Sequence, residues 1–89
     1  APLRRYAHSG EINFEVEDKG GVLRRLEERY APKAREVLRI DGIRMEFDDW
    51  WLSVRASNTE PLLRLNIEAK ERGLMEEKRE ELKTLITRP

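Results

Sequence analysis

Ile12, Phe14 and Val16 alternate with Glu11, Asn13, Glu15 and Glu17. A period of two marks a half-buried strand, because successive side chains point to opposite faces of a sheet. A strand is therefore expected over Glu11–Glu17. Asp18 can then accept from the free N–H groups that open a helix. Val22, Leu23, Leu26 and Tyr30 recur at helical spacing until Pro32, whose ring cannot continue the pattern. This predicts a helix of about three turns with one apolar stripe laid on a sheet.

From residue 36 the period returns to two. Leu38 and Ile40 lead into Asp41-Gly42, and Ile43, Met45 and Phe47 then alternate with Arg44, Glu46 and Asp48. Asp-Gly between alternating runs is a strong hairpin signal. Asp48-Asp49-Trp50 reads as a second turn, after which Leu52 and Val54 share one face and Trp51, Ser53 and Arg55 the other. A further strand carries Leu63, Leu65, Ile67 and Ala69 against Arg64, Asn66 and Glu68. Beyond Gly73, the positions of Leu74, Met75, Leu82, Leu85 and Ile86 fall on one face of an amphipathic helix. The order is β-α-β-β-β-β-α, an α+β chain with a four- to five-stranded, largely antiparallel sheet. Each helix has one stripe and the sheet one apolar side, so both helices are expected on one face.

Length and charge narrow the picture. Eighty-nine residues without cysteine suit one small domain, with no disulfide or thiolate chemistry. Eighteen Lys plus Arg balance eighteen Asp plus Glu, so no bulk basic field draws nucleic acid or anionic lipid, and any anion preference must be local. No apolar run approaches a membrane span. A cytoplasmic location is the default expectation, and the absence of Gln beside abundant Glu, Lys and Arg fits a thermophile source. Residues 1–9, APLRRYAHS, lack periodicity and read as an interdomain linker or hinge, with the domain itself over 10–89; the chain is expected to be part of a longer one.

The segment RASNTEPLLR, Arg55 to Arg64, joins the last two strands. One reading is an ordinary turn: Ser57 and Glu60 have capping-box spacing, and Asn, Thr and Pro are common turn formers. Yet a cap serves a helix, and the residues that follow alternate like a strand. Arg55 and Arg64 also lie on the polar phase of their strands, so a hairpin brings both guanidinium groups beside the turn. Arginine forks, hydroxyl donors and inward N–H groups are what a phosphate's oxygens require. Pro61 limits loop freedom and lowers the entropy lost on binding. A free Glu60 carboxylate repels phosphate, so it is expected to turn outward, accept loop N–H groups or fix an arginine.

Other candidates carry less. His8 is a lone histidine in the expected linker. Asp48 and Asp49 form a turn before they form a metal site, which needs more oxygen ligands. Trp50 and Trp51 near scattered arginines suggest the alternative function, a small module for single-stranded nucleic acid or a protein partner, against which the zero net charge counts. The apolar stripe of the last helix is needed to cover the sheet and is assigned to the core rather than to a partner groove.

The run VRASNTEPLLRLNIEA, preceded by DGIRMEFDDWWLSVR and by SGEINFEVED, closely resembles the C-terminal, fourth domain of the phosphomannomutase/phosphoglucomutase (α-D-phosphohexomutase) family. The resemblance spans essentially the whole chain. It implies a TATA-box-binding-protein-like fold, without implying DNA binding. It further implies an isomerase of carbohydrate metabolism that moves phosphate between the 1- and 6-positions of mannose or glucose phosphate through a hexose 1,6-bisphosphate. The phosphoserine, the Mg²⁺ site and the main sugar contacts are implied to lie in upstream domains of the same enzyme. This domain is implied to bind no cofactor, nucleic acid or membrane, to be inactive alone, and to hold the non-reacting phosphate. Arg55, Ser57, Asn58, Thr59 and Arg64 match the phosphate contacts, with Glu60 and Pro61 shaping the loop. Asn58 stands where phosphoglucosamine mutases tend to have Gly, and Ala56 where many members have Pro.

Overall fold

A computed structural model of the chain describes residues 7–39 and 42–87. Its elements are β1 (Ala7–His8), β2 (Ile12–Glu15), α1 (Lys19–Tyr30), β3 (Glu36–Leu38), β4 (Ile43–Glu46), β5 (Trp50–Ala56), β6 (Leu62–Ala69) and α2 (Arg72–Thr87). The six strands form one sheet, all pairings antiparallel, in the order β1-β6-β5-β4-β3, with β2 also on β6. The expected α+β class and β-α-β-β-β-β-α order hold, with β1 added.

β1 and β2 line the same edge of β6. Between the pairs His8↔Glu68 and Ile12↔Leu65, four steps along the edge face three along β6. One residue is therefore extra, and the edge is a single strand broken by a bulge. Gly10 supplies the left-handed backbone needed there, with φ +74°. Ser9 donates its N–H to the Ile67 carbonyl at 2.9 Å, and its hydroxyl accepts from the Ile67 N–H at 3.0 Å. Residues 7–9 of the segment expected as linker thus belong to the sheet; residues 1–6 lie outside the described residues.

The inward positions Ile43, Met45, Leu52, Val54, Leu63, Leu65, Ile67 and Ala69 are buried, and Val22, Leu26, Tyr30, Met75, Leu82 and Ile86 close over them from α1 and α2. Asp18 caps α1, accepting from Gly21 N–H at 3.0 Å, and a turn of 3-10 helix at Ala31–Lys33 follows where Pro32 ends the α-helix. The first hairpin departs from expectation. Val37, opposite Met45, packs on the core, while Leu38 is exposed. Leu38 pairs with Arg44, so the connection is longer than a two-residue Asp41-Gly42 turn, and Ile40 and Asp41 lie outside the described residues. The second turn is the tight one: Phe47 N–H donates to the Trp50 carbonyl at 2.8 Å across Asp48 and Asp49, and Trp50 starts the strand rather than ending the turn.

Tyr30, Phe47 and Trp50 form an aromatic cluster, Phe47 stacked on Trp50 at 4.4 Å and Tyr30 edge-on to both. The Tyr30 hydroxyl donates to Glu81 Oε1 at 2.8 Å. Burial first, then this carboxylate, push the hydroxyl above the usual tyrosine range. Below about pH 10 Tyr30 is protonated both folded and unfolded, so its contribution is flat. Above that, the unfolded chain gives up its proton and the folded one keeps it, so stability falls as pH rises. Urea unfolding from pH 9 to 11 should show this slope, and Tyr30→Phe should reduce it; an unchanged slope would remove Tyr30 as its source.

Candidate functional site

The last hairpin builds the site. β5 and β6 pair with Arg55 directly opposite Arg64 and Ala56 opposite Leu63, and Ser57 N–H closes the ladder on the Leu62 carbonyl at 3.0 Å. Asn58, Thr59, Glu60 and Pro61 remain as the loop. Ser57 Oγ accepts from the N–H groups of Thr59 (3.4 Å) and Glu60 (3.3 Å), a cap-like turn with no helix after it. Leu62 N–H donates to the Glu60 carbonyl at 2.8 Å, a three-residue turn centred on Pro61, whose ring fixes φ.

Two contacts tie this loop to the body of the domain. Val16 N–H donates to the Pro61 carbonyl at 2.8 Å. Lys19, the first residue of α1, donates its ammonium to the Ser57 carbonyl and, at 3.0 Å, to the Glu60 carbonyl. Sequence reasoning missed Lys19, since its partners are backbone carbonyls some forty residues away and leave no side-chain pattern. A cation in the first turn of a helix opposes the helix dipole, but Asp18, whose carboxylate caps α1 beside it, masks that signal along the chain.

Arg55, Ala56, Ser57, Asn58, Thr59 and Arg64 line an open depression of about 320 Å³. All five expected contacts, Arg55, Ser57, Asn58, Thr59 and Arg64, meet there. The two arginines are exposed, and the next residue in their row across the sheet is the uncharged Asn13, opposite Arg64. No described carboxylate lies within ion-pair distance of either guanidinium. Like charges directly opposite on neighbouring strands destabilise a sheet by a few tenths of a kcal/mol or more, up to about 1. Such a local conflict is expected where a binding requirement overrides stability. Glu60 is exposed and is not among the residues lining the depression; its carboxylate pairs with no described arginine, and its backbone carbonyl is what the loop uses.

The residues behind the other readings have partners of their own in the structure. Trp50 is buried, with Lys78 Nζ over its ring at 5.2 Å, and presents no stacking face. Trp51 lies on the sheet face away from the helices, covered by Arg44 at 4.2 Å and met edge-on by His8. Asp48 and Asp49 pair with Arg35 and Lys70. Among the described residues no three His, Asp or Glu come together in a group that could hold a metal ion.

Residues 11–85 match the family model described as phosphoglucomutase/phosphomannomutase, C-terminal domain. The chain belongs to this family. Among phosphoglucomutase/phosphomannomutase relatives, a phosphomannomutase of Methanocaldococcus jannaschii is 45% identical over 84 residues, 94% of this chain and 18% of the relative. A phosphomannomutase of Vibrio cholerae is 46% identical over 79 residues, 88% of this chain and 17% of the relative. The crystal structure of a phosphoglucomutase/phosphomannomutase family protein from Burkholderia thailandensis superposes with a TM-score of 0.68 at 24% identity, over 94% of this chain and 18% of that one, a likeness of fold. The chain thus spans about a fifth of the length of the curated family members it matches.

Proposed function

We propose that this domain is the phosphate-holding part of a phosphohexomutase, gripping the non-reacting phosphate of a mannose or glucose phosphate, or of the hexose 1,6-bisphosphate, during reversible 1-/6-phosphoryl transfer. The observation that carries the reading is the pair Arg55↔Arg64, two cations held opposite each other beside the Ser57–Thr59 turn with no described carboxylate to balance them. A phosphate dianion relieves that repulsion. Each guanidinium can fork two oxygens, and the Ser57 and Thr59 hydroxyls with the Asn58 N–H complete the set.

Holding the distal phosphate converts remote binding energy into alignment of the reacting end. The depression is open, which suits a ligand that must leave, turn end for end and return. Of the segment expected as a hinge, residues 7–9 are fastened to the sheet. In the intact enzyme the phosphoserine and Mg²⁺ come from other domains, and this domain alone is inactive. A cytoplasmic location and a thermophile source accompany the reading as expectations.

The test is an amide-resolved NMR titration of the 89-residue chain with glucose 1,6-bisphosphate at low salt. One open loop should bind at about millimolar Kd, some 4 kcal/mol. Shifts should centre on residues 55–64 and vanish in Arg55→Ala. Shifts elsewhere, or an unaffected Arg55→Ala, would overturn the assignment.

A further inference from the structure

Resting on the phosphate reading, the geometry points to Lys19 as a positioning residue that sets the loop's anion-binding geometry from outside the loop. Its ammonium takes the carbonyls of Ser57 and Glu60, which bracket Asn58 and Thr59. In a trans peptide the C=O and the following N–H point in opposite directions, and no described peptide is cis. Drawing the Ser57 carbonyl toward Lys19 therefore turns the Asn58 N–H away from it. That N–H has no acceptor among the described residues, and Asn58 lines the depression with the two arginines. The Glu60 carbonyl belongs to the peptide preceding Pro61, which has no N–H, so the second contact anchors the far side of the turn and orients no further donor.

Lys19 itself is absent from the residues lining the depression. It acts on the anion through the loop, and its position at the start of α1, where the helix dipole disfavours a cation, is offset by these two carbonyl dipoles. The loop conformation is thus made by three separated pieces of chain: Ser57 within the turn, Val16 after β2 and Lys19 at the start of α1.

Lys19→Met and Lys19→Arg, beside Arg55→Ala, test this on the 89-residue chain, with inorganic phosphate and glucose 1,6-bisphosphate as ligands. Without ligand, Lys19→Met should shift the amides of residues 57–60 and speed hydrogen exchange at Ser57, whose N–H is bonded to the Leu62 carbonyl, with Lys19→Arg close to the parent. With ligand, Lys19→Met should weaken binding about tenfold, and Lys19→Arg should restore most of it, with the urea midpoint little changed. Unaltered ligand-free loop amides in Lys19→Met would overturn the inference whether or not anything binds. Loop amides that move while affinity stays at the parent value would overturn it too, reducing Lys19 to a structural tie. Loss of binding in Arg55→Ala with Lys19→Met unaffected overturns only the role of Lys19, whereas an absence of binding by the parent chain overturns the phosphate reading and the role together.

Discussion

Arg55→Ala in the full-length enzyme carrying this domain should lower kcat/KM about a hundredfold while leaving the domain as stable as before or slightly more so. A guanidinium that forks a phosphate makes two charge-assisted bonds, each worth roughly 1.5–3 kcal/mol. Losing about 3 kcal/mol of transition-state binding corresponds to that factor of roughly a hundred. The stability half of the expectation has a different source. Arg55 is exposed and faces Arg64, so its removal relieves a cross-strand repulsion of up to about 1 kcal/mol. Steady-state kinetics and urea unfolding of the same variant read both. Arg55→Lys should fall between, keeping the charge and losing the fork. Kinetics within threefold of the parent would take Arg55 out of the site, and a loss of activity matched by a loss of stability would make it a structural residue.

The largest effect on folding is expected at Gly42. Its φ is +111°, where a side chain is strained, and a Cβ placed there would stand 2.1 Å from the Val54 carbonyl oxygen and 3.0 Å from the Arg55 Cα. Both neighbours are backbone and have no rotamer by which to yield. Gly42→Ala should therefore cost about 2–4 kcal/mol, combining left-handed backbone strain of about 1–2 kcal/mol with displacement of β5. Out of the order of 10 kcal/mol that holds a domain of this size, that is a large share. The strand displaced is the one that presents Arg55, so phosphate affinity should fall with stability, unlike the surface variant. A urea midpoint equal to the parent's would mean the hairpin backbone moves aside freely. By contrast Gly21→Ala meets only the Asp18 carboxylate. It exchanges a cap of about 1 kcal/mol for helix propensity of similar size and should come out near neutral.

Long alternating runs were legible because their phase is overdetermined. From Leu63 to Ala69 seven residues agree on which side is apolar, so Arg64 could be put on the same polar phase as Arg55, beside the turn, before any register was known. The Val37 side of β3 was misread because three paired residues contain both Val37 and Leu38, and apolar character alone cannot choose between adjacent positions. β1 left no signal since a two-residue strand has no period, and Ser9 is held there by backbone groups and one hydroxyl. The site divides the same way. Its lining comes from one contiguous stretch and can be read along the chain, whereas the part played by Lys19 appears only when α1 is folded against the hairpin.

Consecutive residues on a strand face opposite ways, and here two of them are tryptophans. Trp50 is sealed under Lys78 among Tyr30 and Phe47, while Trp51 sits on the bare side of the sheet beneath Arg44. The chain thereby carries two optical reporters one residue apart, one sampling the interior and the other the outer surface. A soluble quencher, or another body laid on the uncovered side, dims the second and leaves the first alight until the protein unfolds.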